Sequence, residues 1–158
     1  MVSKTLAEVA ALIRPGVTTY ELDVCAERFI RDNGAKPGFK GYKGFPNTLC
    51  TSVNSQVVHG VPSKSVVLKD GDIISVDCGV ILNGYCGDTA YTFAVGEINE
   101  QNRRLLQVTR ECLYMGIEKA VARNRVGDIS WTIQQHAEKN RYSVVRDLIG
   151  HGIGTEIH

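Results

Sequence analysis

The stretch DIISVDCGVILNGYCGDTAYTFAV, residues 72–95, decides the fold. Two runs rich in β-branched and aromatic residues flank Asn83-Gly84, a dipeptide suited to a type I′ turn because both central residues of that turn take positive φ. With Asn83 and Gly84 as the loop, antiparallel pairing sets Gly79 opposite Asp88 and Asp77 opposite Ala90. Side chains alternate across a strand, so Asp77, Gly79 and Asp88 share one face. The two aspartates are then diagonal neighbours, about 7–8 Å apart at the backbone and closer at the side chains.

The same register sorts the rest of the hairpin. Ile74, Val76, Cys78 and Val80 fall on the opposite face with Tyr91, Phe93 and Val95, an apolar surface suited to packing helices. Ser75, Gly79, Cys86, Ala90 and Thr92 accompany the aspartates and are mostly small, so that face is expected to be a hollow. Two carboxylates directed into a hollow repel one another and lose hydration unless a cation neutralises them. A metal ion, or a pair bridged by one carboxylate, resolves the conflict. Two other arrangements stay open at this point: separately solvated or Lys/Arg-paired aspartates, and a β-bulge that turns one of them to the other face.

Working outward, Leu6, Val9, Leu12 and Ile13 recur at helical spacing from Lys4 to Arg14, and Pro15-Gly16 ends the pattern. Thr18 with Glu21 makes a capping box for a second helix whose stripe is Leu22, Cys25, Ala26, Phe29 and Ile30, ending at Gly34. Lys36 to Pro46, rich in Gly, Pro and aromatics, predicts a sharply bent loop. Strands are predicted at Leu49–Val53, Gln56–Val58, Asp72–Leu82 and Tyr85–Val95. The last third returns to helix, with Leu105, Leu106, Cys112, Leu113, Ile117 and Val121 on one stripe. A further helix starts at Asp128 and turns Ile129, Trp131 or Thr132, Ile133 and Ala137 inward. Helix, turn and capped helix thus occur twice, from Lys4 and from Gln101, with Thr18 and Asp128 as the two caps. The pattern predicts an α+β fold of duplicated helix pairs on an antiparallel sheet, related by a pseudo-two-fold axis.

Composition bounds the function. The 158 residues suit a single domain, and 43% hydrophobic with 22% charged residues is ordinary for a soluble globular chain. A net charge of +1 lacks the excess that drives nonspecific binding to nucleic acid or membrane, so neither partner is expected. No run approaches the roughly 20 apolar residues of a membrane span, and Glu8 and Arg14 spoil the N-terminal segment as a signal peptide. A cytoplasmic location is expected. The cysteines Cys25, Cys50, Cys78, Cys86 and Cys112 form no CxxC pair and read as reduced thiols.

Three of four histidines have distinctive contexts: His59 in VVHGVP, His151 in GHGIG and His158 in TEIH, while His136 looks like a helix-surface residue. Glycines beside His151 let backbone approach a ligand closely. The segments VNSQVVHGVP, DGDIISVDCGVILNGYCGDTAYTF and IGHGIGTEIH resemble those of type I methionine aminopeptidases, as do the intervals between His59, Asp77, Asp88, His151 and His158. RPGVTT near the start extends the resemblance over essentially the whole chain.

That resemblance implies the pita-bread fold and a dinuclear metallo-aminopeptidase that removes the initiator methionine from nascent proteins, with the ribosome as a candidate place of action. It implies two divalent ions, of Co, Mn, Fe or Zn, with Asp77 chelating one, Asp88 bridging both and His151 binding the other. His59 and His158 would be the catalytic donors that also touch substrate, and Tyr42, Phe45 and Cys50 would line the pocket for the first side chain. The family's two glutamate ligands lie downstream of GHGIG, and its members begin earlier than Met1. The expectation is therefore residues 1–158 as one catalytic domain lacking its C-terminal part, weakly active or inactive as it stands. The alternatives are a noncatalytic pita-bread binding module and an Xaa-Pro aminopeptidase of the same fold.

Overall fold

The computed structural model describes residues 1–158. The chain divides into two compact units, Met1–Ile98 with His151–His158, and Asn99–Gly150.

In the first unit, helices α1 (Val2–Leu12) and α2 (Thr19–Asp32) precede strands β1 (Lys36–Pro37), β2 (Leu49–Val53), β3 (Ile73–Leu82) and β4 (Tyr85–Ala94). Helix α2 begins as the sequence predicts: Thr18 Oγ1 accepts from the Glu21 amide, and the Glu21 carboxylate accepts from the Thr18 amide at 2.8 Å. All strand pairs are antiparallel, and β3 is central. Strand β4 pairs with it along its whole length, while β2 and β1 share the other edge end to end, β2 along residues 74–78 and β1 along 80–81. The hairpin register is the predicted one, Gly79 opposite Asp88 and Asp77 opposite Ala90, with Asn83 at φ +52° and Gly84 at φ +80° in the turn. No bulge interrupts it.

One sheet face carries the core. Ile74, Val76, Cys78 and Val80 of β3 are buried with Leu49 of β2 and with Leu6, Val9, Leu22, Ala26 and Ile30 of the two helices. Phe93 packs at the margin of this cluster and Val95 inside it. Tyr91 is on the same face, opposite Val76, but 54% exposed at the edge of the sheet, with its ring 4.7 Å from that of Phe93.

Several local expectations need correction. Gln56–Val58 is not a strand: Asn54 at φ +52° and His59 at φ +57° bend the chain at both sides, and Val57 and Val58 stand exposed. Asn54 is held in that bend by Asp72, whose Oδ1 accepts its amide at 2.8 Å. The segment read as loop from Lys36 contributes β1 and a single 3-10 turn at Tyr42–Gly44.

The second unit is a hairpin of α3 (Glu100–Lys119) and α4 (Val126–Lys139). Its small core is Val108, Cys112 and Ala137, backed by Ile133, Tyr142 and Val144. A further correction lies here: Asp128 is not the first residue of α4 but the third, and its carboxylate accepts from the backbone amide of the N-cap, Arg125, at 2.7 Å. It therefore corresponds to Glu21 and not to Thr18, and Arg125 takes the place of Thr18. Thr132 and not Trp131 faces inward, and Leu113, Ile117 and Val121 of the expected stripe are exposed. His136, read as a surface residue, is half-buried against Glu111 at 2.7 Å. No helix is long and apolar enough to cross a membrane.

Candidate metal and peptide site

The site is built on the sheet face opposite the helices. Asp77 projects from the middle of β3 and Asp88 from β4, opposite Gly79 two residues along, so that the charge of Asp88 acts directly on the Asp77 carboxyl. Burial, and then the negative charge of Asp88, push the Asp77 carboxyl up to about 7; the Cys78 amide and the nearby His151 pull the other way. This is the electrostatic conflict expected from the sequence, and a cation between the carboxylates would relieve it.

Around the pair, the neighbouring strand supplies Cys50 directly across from Asp77. Cys50 is buried, and its thiol is pushed up to about 12 by desolvation and by Asp77, Asp88 and Asp23, so it is a neutral, soft apolar surface. None of the five cysteines is in a disulfide. Gly79 is bare for a reason: a Cβ there would meet the ring of Phe39 at 2.5 Å. Phe39 thus lies against the aspartate face beside Asp77. Sequence reading did not single it out; the signal available was an aromatic beside Gly38 in the Gly-rich loop.

Segment 151–158 docks on the start of β4, where the Gly154 carbonyl accepts from the Cys86 amide at 2.7 Å. That contact brings the GHGIG histidine to the aspartates. His151 Nδ1 lies 3.1 Å from the Gly152 carbonyl, as an N–H donor facing that acceptor would, which leaves Nε2 with its lone pair. The His151 and His158 rings are 4.2 Å apart, and His158 Nδ1 is 2.9 Å from the Tyr42 hydroxyl. Tyr42 and His158 also border a cavity of about 310 Å³ whose far side is Ile81 and Cys86.

The remaining predicted residues stand further out. Phe45 is half-buried just after the Tyr42–Gly44 turn. His59 is exposed on a left-handed backbone, and its side chain has no hydrogen-bond partner in the chain. Its neighbour Gly60 anchors the loop to β2: the Gly60 carbonyl accepts from Thr51 at 2.8 Å, its amide donates to Ser52 Oγ, and a Cβ would fall 2.0 Å from the Thr51 oxygen. Asp77, Asp88, Cys50, His151, His158 and Tyr42 are thus gathered on one side of the sheet, while His59 and Phe45 flank them.

Two carboxylates and an imidazole with a free nitrogen are a donor set suited to a borderline divalent ion, and the raised Asp77 carboxyl shows a charge conflict that such an ion would cancel. No group of three His, Cys, Asp or Glu side chains is yet arranged to hold one. The residues fit a metal by chemistry, with two of the three donors already paired.

Comparison with known proteins gives the same direction. Methionine aminopeptidase of Clostridium acetobutylicum is 56% identical over 158 residues, 100% of this chain and 63% of that protein, and methionine aminopeptidase 1 of Bacillus subtilis is 50% identical over the same shares. The chain therefore spans about 63% of the length of these relatives. The crystal structure of methionine aminopeptidase from Rickettsia prowazekii matches with a TM-score of 0.97 at 43% identity, over 99% of this chain and 63% of that one. An Xaa-Pro dipeptidase from Bacillus anthracis matches with a TM-score of 0.80 at 26% identity, over 98% of this chain and 42% of the other. These likenesses identify the architecture as the pita-bread α+β fold. The model of metallopeptidase family M24 matches residues 1–158, from end to end, and the chain belongs to that family of metal-dependent peptidases.

Proposed function

We propose that this chain carries the aspartate–histidine part of an aminopeptidase site that removes the N-terminal methionine from newly made proteins. The observation that carries the proposal is the Asp77–Asp88 pair, two crowded carboxylates on a rigid β-hairpin in a chain of family M24. Relatives named methionine aminopeptidase reach 56% identity, against 26% for the Xaa-Pro dipeptidase, which favours methionine over an Xaa-Pro substrate. Because every ligand position the resemblance assigns within residues 1–158 is intact, a catalytic reading is preferred to a noncatalytic binding module.

In this reading Asp77, Asp88 and His151 would hold two divalent ions of the Co, Mn, Fe or Zn group, which would supply an acidified water and a polarised carbonyl. The chain's own groups do the rest. His151 keeps its Nε2 lone pair available through the Nδ1 contact with Gly152. Tyr42, Phe45 and Cys50 line the pocket for the first side chain, where the neutral Cys50 thiol and aromatic surface suit an unbranched thioether. His59 hydrogen-bonds the substrate near the scissile amide, and His158 donates to the oxygen that gains charge. The substrates would be nascent chains in the cytoplasm, met at the ribosome, and both units would belong to one catalytic domain.

The test supplies the chain with the parts of the Clostridium acetobutylicum relative that it does not match, loads it with Co²⁺ or Mn²⁺, and measures hydrolysis of Met-Ala-Ser and of an Xaa-Pro peptide. Met-Ala-Ser is expected to be cleaved, with Asp77→Asn and Asp88→Asn each losing at least about 100-fold. Cleavage of the Xaa-Pro peptide alone overturns the reading.

A further inference from the structure

We infer that Tyr42 is a positioning residue that fixes the tautomer of His158, holding its proton on Nε2. The inference rests on the reading of His158 as a hydrogen-bond donor to substrate and adds what makes it one.

The geometry is specific. The Tyr42 hydroxyl lies 2.9 Å from His158 Nδ1, and the two rings are stacked at 5.5 Å with only 21° between their planes. The His151 ring also contacts His158, with ring centres 4.2 Å apart, and turning the imidazole over would give up the hydrogen bond at Nδ1. A neutral imidazole has one donor and one acceptor nitrogen, and the hydrogen bond at one nitrogen decides where the proton resides. The phenol is the natural donor here: its oxygen has no other hydrogen-bond partner in the chain, so a Tyr42 that accepted from Nδ1–H would leave its own O–H without one. Lys43 Nζ, 5.5 Å from the Tyr42 ring centre, adds a positive charge that strengthens the O–H as a donor. Nδ1 is then the acceptor and Nε2 carries the hydrogen. Nε2 has no partner within the chain, so that hydrogen is free for a substrate oxygen.

The backbone around Tyr42 is shaped for this presentation. Gly41 at φ +87°, Lys43 at φ +47° and Gly44 at φ +83° form a left-handed succession, closed by Gly41 N–H to the Phe45 carbonyl at 2.8 Å and Phe45 N–H to the Tyr42 carbonyl at 2.9 Å. A non-glycine residue with positive φ, as at Lys43, is a cost the fold meets where a side chain must be aimed. Tyr42, at the start of that turn, is the side chain that hydrogen-bonds the His158 ring.

The experiment records two-bond ¹H–¹⁵N correlations of the imidazole of His158 in the 158-residue chain, with Tyr42→Phe as the variant. That variant keeps the ring and its stacking and removes only the hydroxyl; unchanged amide shifts in β3 and β4 show that the fold is intact. At pH 8 the wild-type His158 is expected to show the pattern of protonated Nε2 with a hydrogen-bonded acceptor Nδ1. In Tyr42→Phe the Nδ1 resonance should move downfield toward that of an unbonded acceptor, and the Nδ1–H tautomer should enter the average. A wild-type pattern of protonated Nδ1, or a His158 spectrum indifferent to the hydroxyl, overturns the inference. The spectrum does not depend on turnover, so absence of Met-Ala-Ser hydrolysis would remove the proposed function and leave the tautomer result standing.

Discussion

Asp77 inverts the usual contribution of a carboxylate to stability. Most folded-state aspartates are held below their unfolded value, whereas burial and Asp88 push this one from 3.8 up to about 7. Between those values the folded chain keeps a proton that the unfolded chain releases, so in the absence of metal, stability is expected to fall as pH rises from about 4 to about 7. Asp88→Asn removes the facing charge and should flatten that slope, raising the stability of the metal-free chain above pH 7 by roughly 1 kcal/mol, about 2 to 4 °C in Tm. Thermal melts in chelator across this range would check it, and a slope equal to that of the wild type would refute it. Mn²⁺ should in turn raise the wild-type Tm at pH 7.5 and do less for Asp88→Asn, since a ligand bound only by the folded state stabilises it by mass action. At this scale the sequence was legible where geometry is quantised. A two-residue turn and a period of two put Asp77 and Asp88 on one face, and both are there. How strongly the two carboxyls act on one another, and that His158 is bonded to Tyr42, depend on side-chain torsions and on a docked distant segment, which no local pattern encodes.

At the level of elements, the buried carboxylate of Asp23 does what no motif announced. It sits on α2, 3% exposed, and accepts from the Thr48 amide at 2.9 Å, the Leu49 amide at 2.8 Å and the Asn47 side chain at 2.7 Å. It thereby fixes the start of β2, the strand that brings Cys50 opposite Asp77. Asp23→Ala leaves buried amides without an acceptor and is expected to cost roughly 2 to 4 kcal/mol in urea unfolding. Asp23→Asn, which keeps one acceptor oxygen, should cost less, and a loss below about 1 kcal/mol for the alanine variant would mean that solvent replaces the carboxylate. The elements themselves were largely readable: β2 and both hairpin strands follow β-branched alternation, and Thr18 and Glu21 form their box. The failures differ in cause. Gln56–Val58 has strand composition, but Asn54 and His59 adopt positive φ and Asp72 holds Asn54, a tertiary bond outweighing local preference. Asp favours the N-cap, but Asp128 instead reaches back from the third helical residue to accept from the Arg125 amide, a local role equally suited to an acid.

Across the molecule, the two compact units differ in what holds them. The first buries a continuous cluster from Leu6 to Val95, in which Leu22, Ile30, Leu49, Ile74, Val76 and Val80 are almost wholly removed from water. The second buries Val108, Cys112 and Ala137, and is otherwise tied by polar contacts such as Glu111 to His136 and Cys112 to the Ile133 carbonyl. Exposed charged and polar contacts add little, typically under 1 kcal/mol each, so apolar burial sets the ranking. Helix α3 also leaves Leu113 and Ile117 open to solvent, as is Val121 just beyond its end. The duplicated order of elements was visible in the sequence because capping and periodicity are local. The unequal cores were not, because which side of a helical stripe is covered depends on the partner and not on the stripe. It follows that the units should open separately. In native-state hydrogen exchange, amides of α3 and α4 are expected to exchange at least about tenfold faster than those of β2, β3 and α2, with protection in the second unit lost first as denaturant is added. Ile117→Lys should leave that order unchanged, since Ile117 is more than half exposed, whereas Val108→Ala should speed exchange throughout α3 and α4 and leave β3 untouched. A single protection plateau spanning both units, lost in one transition, would show instead that the small core is coupled to the large one.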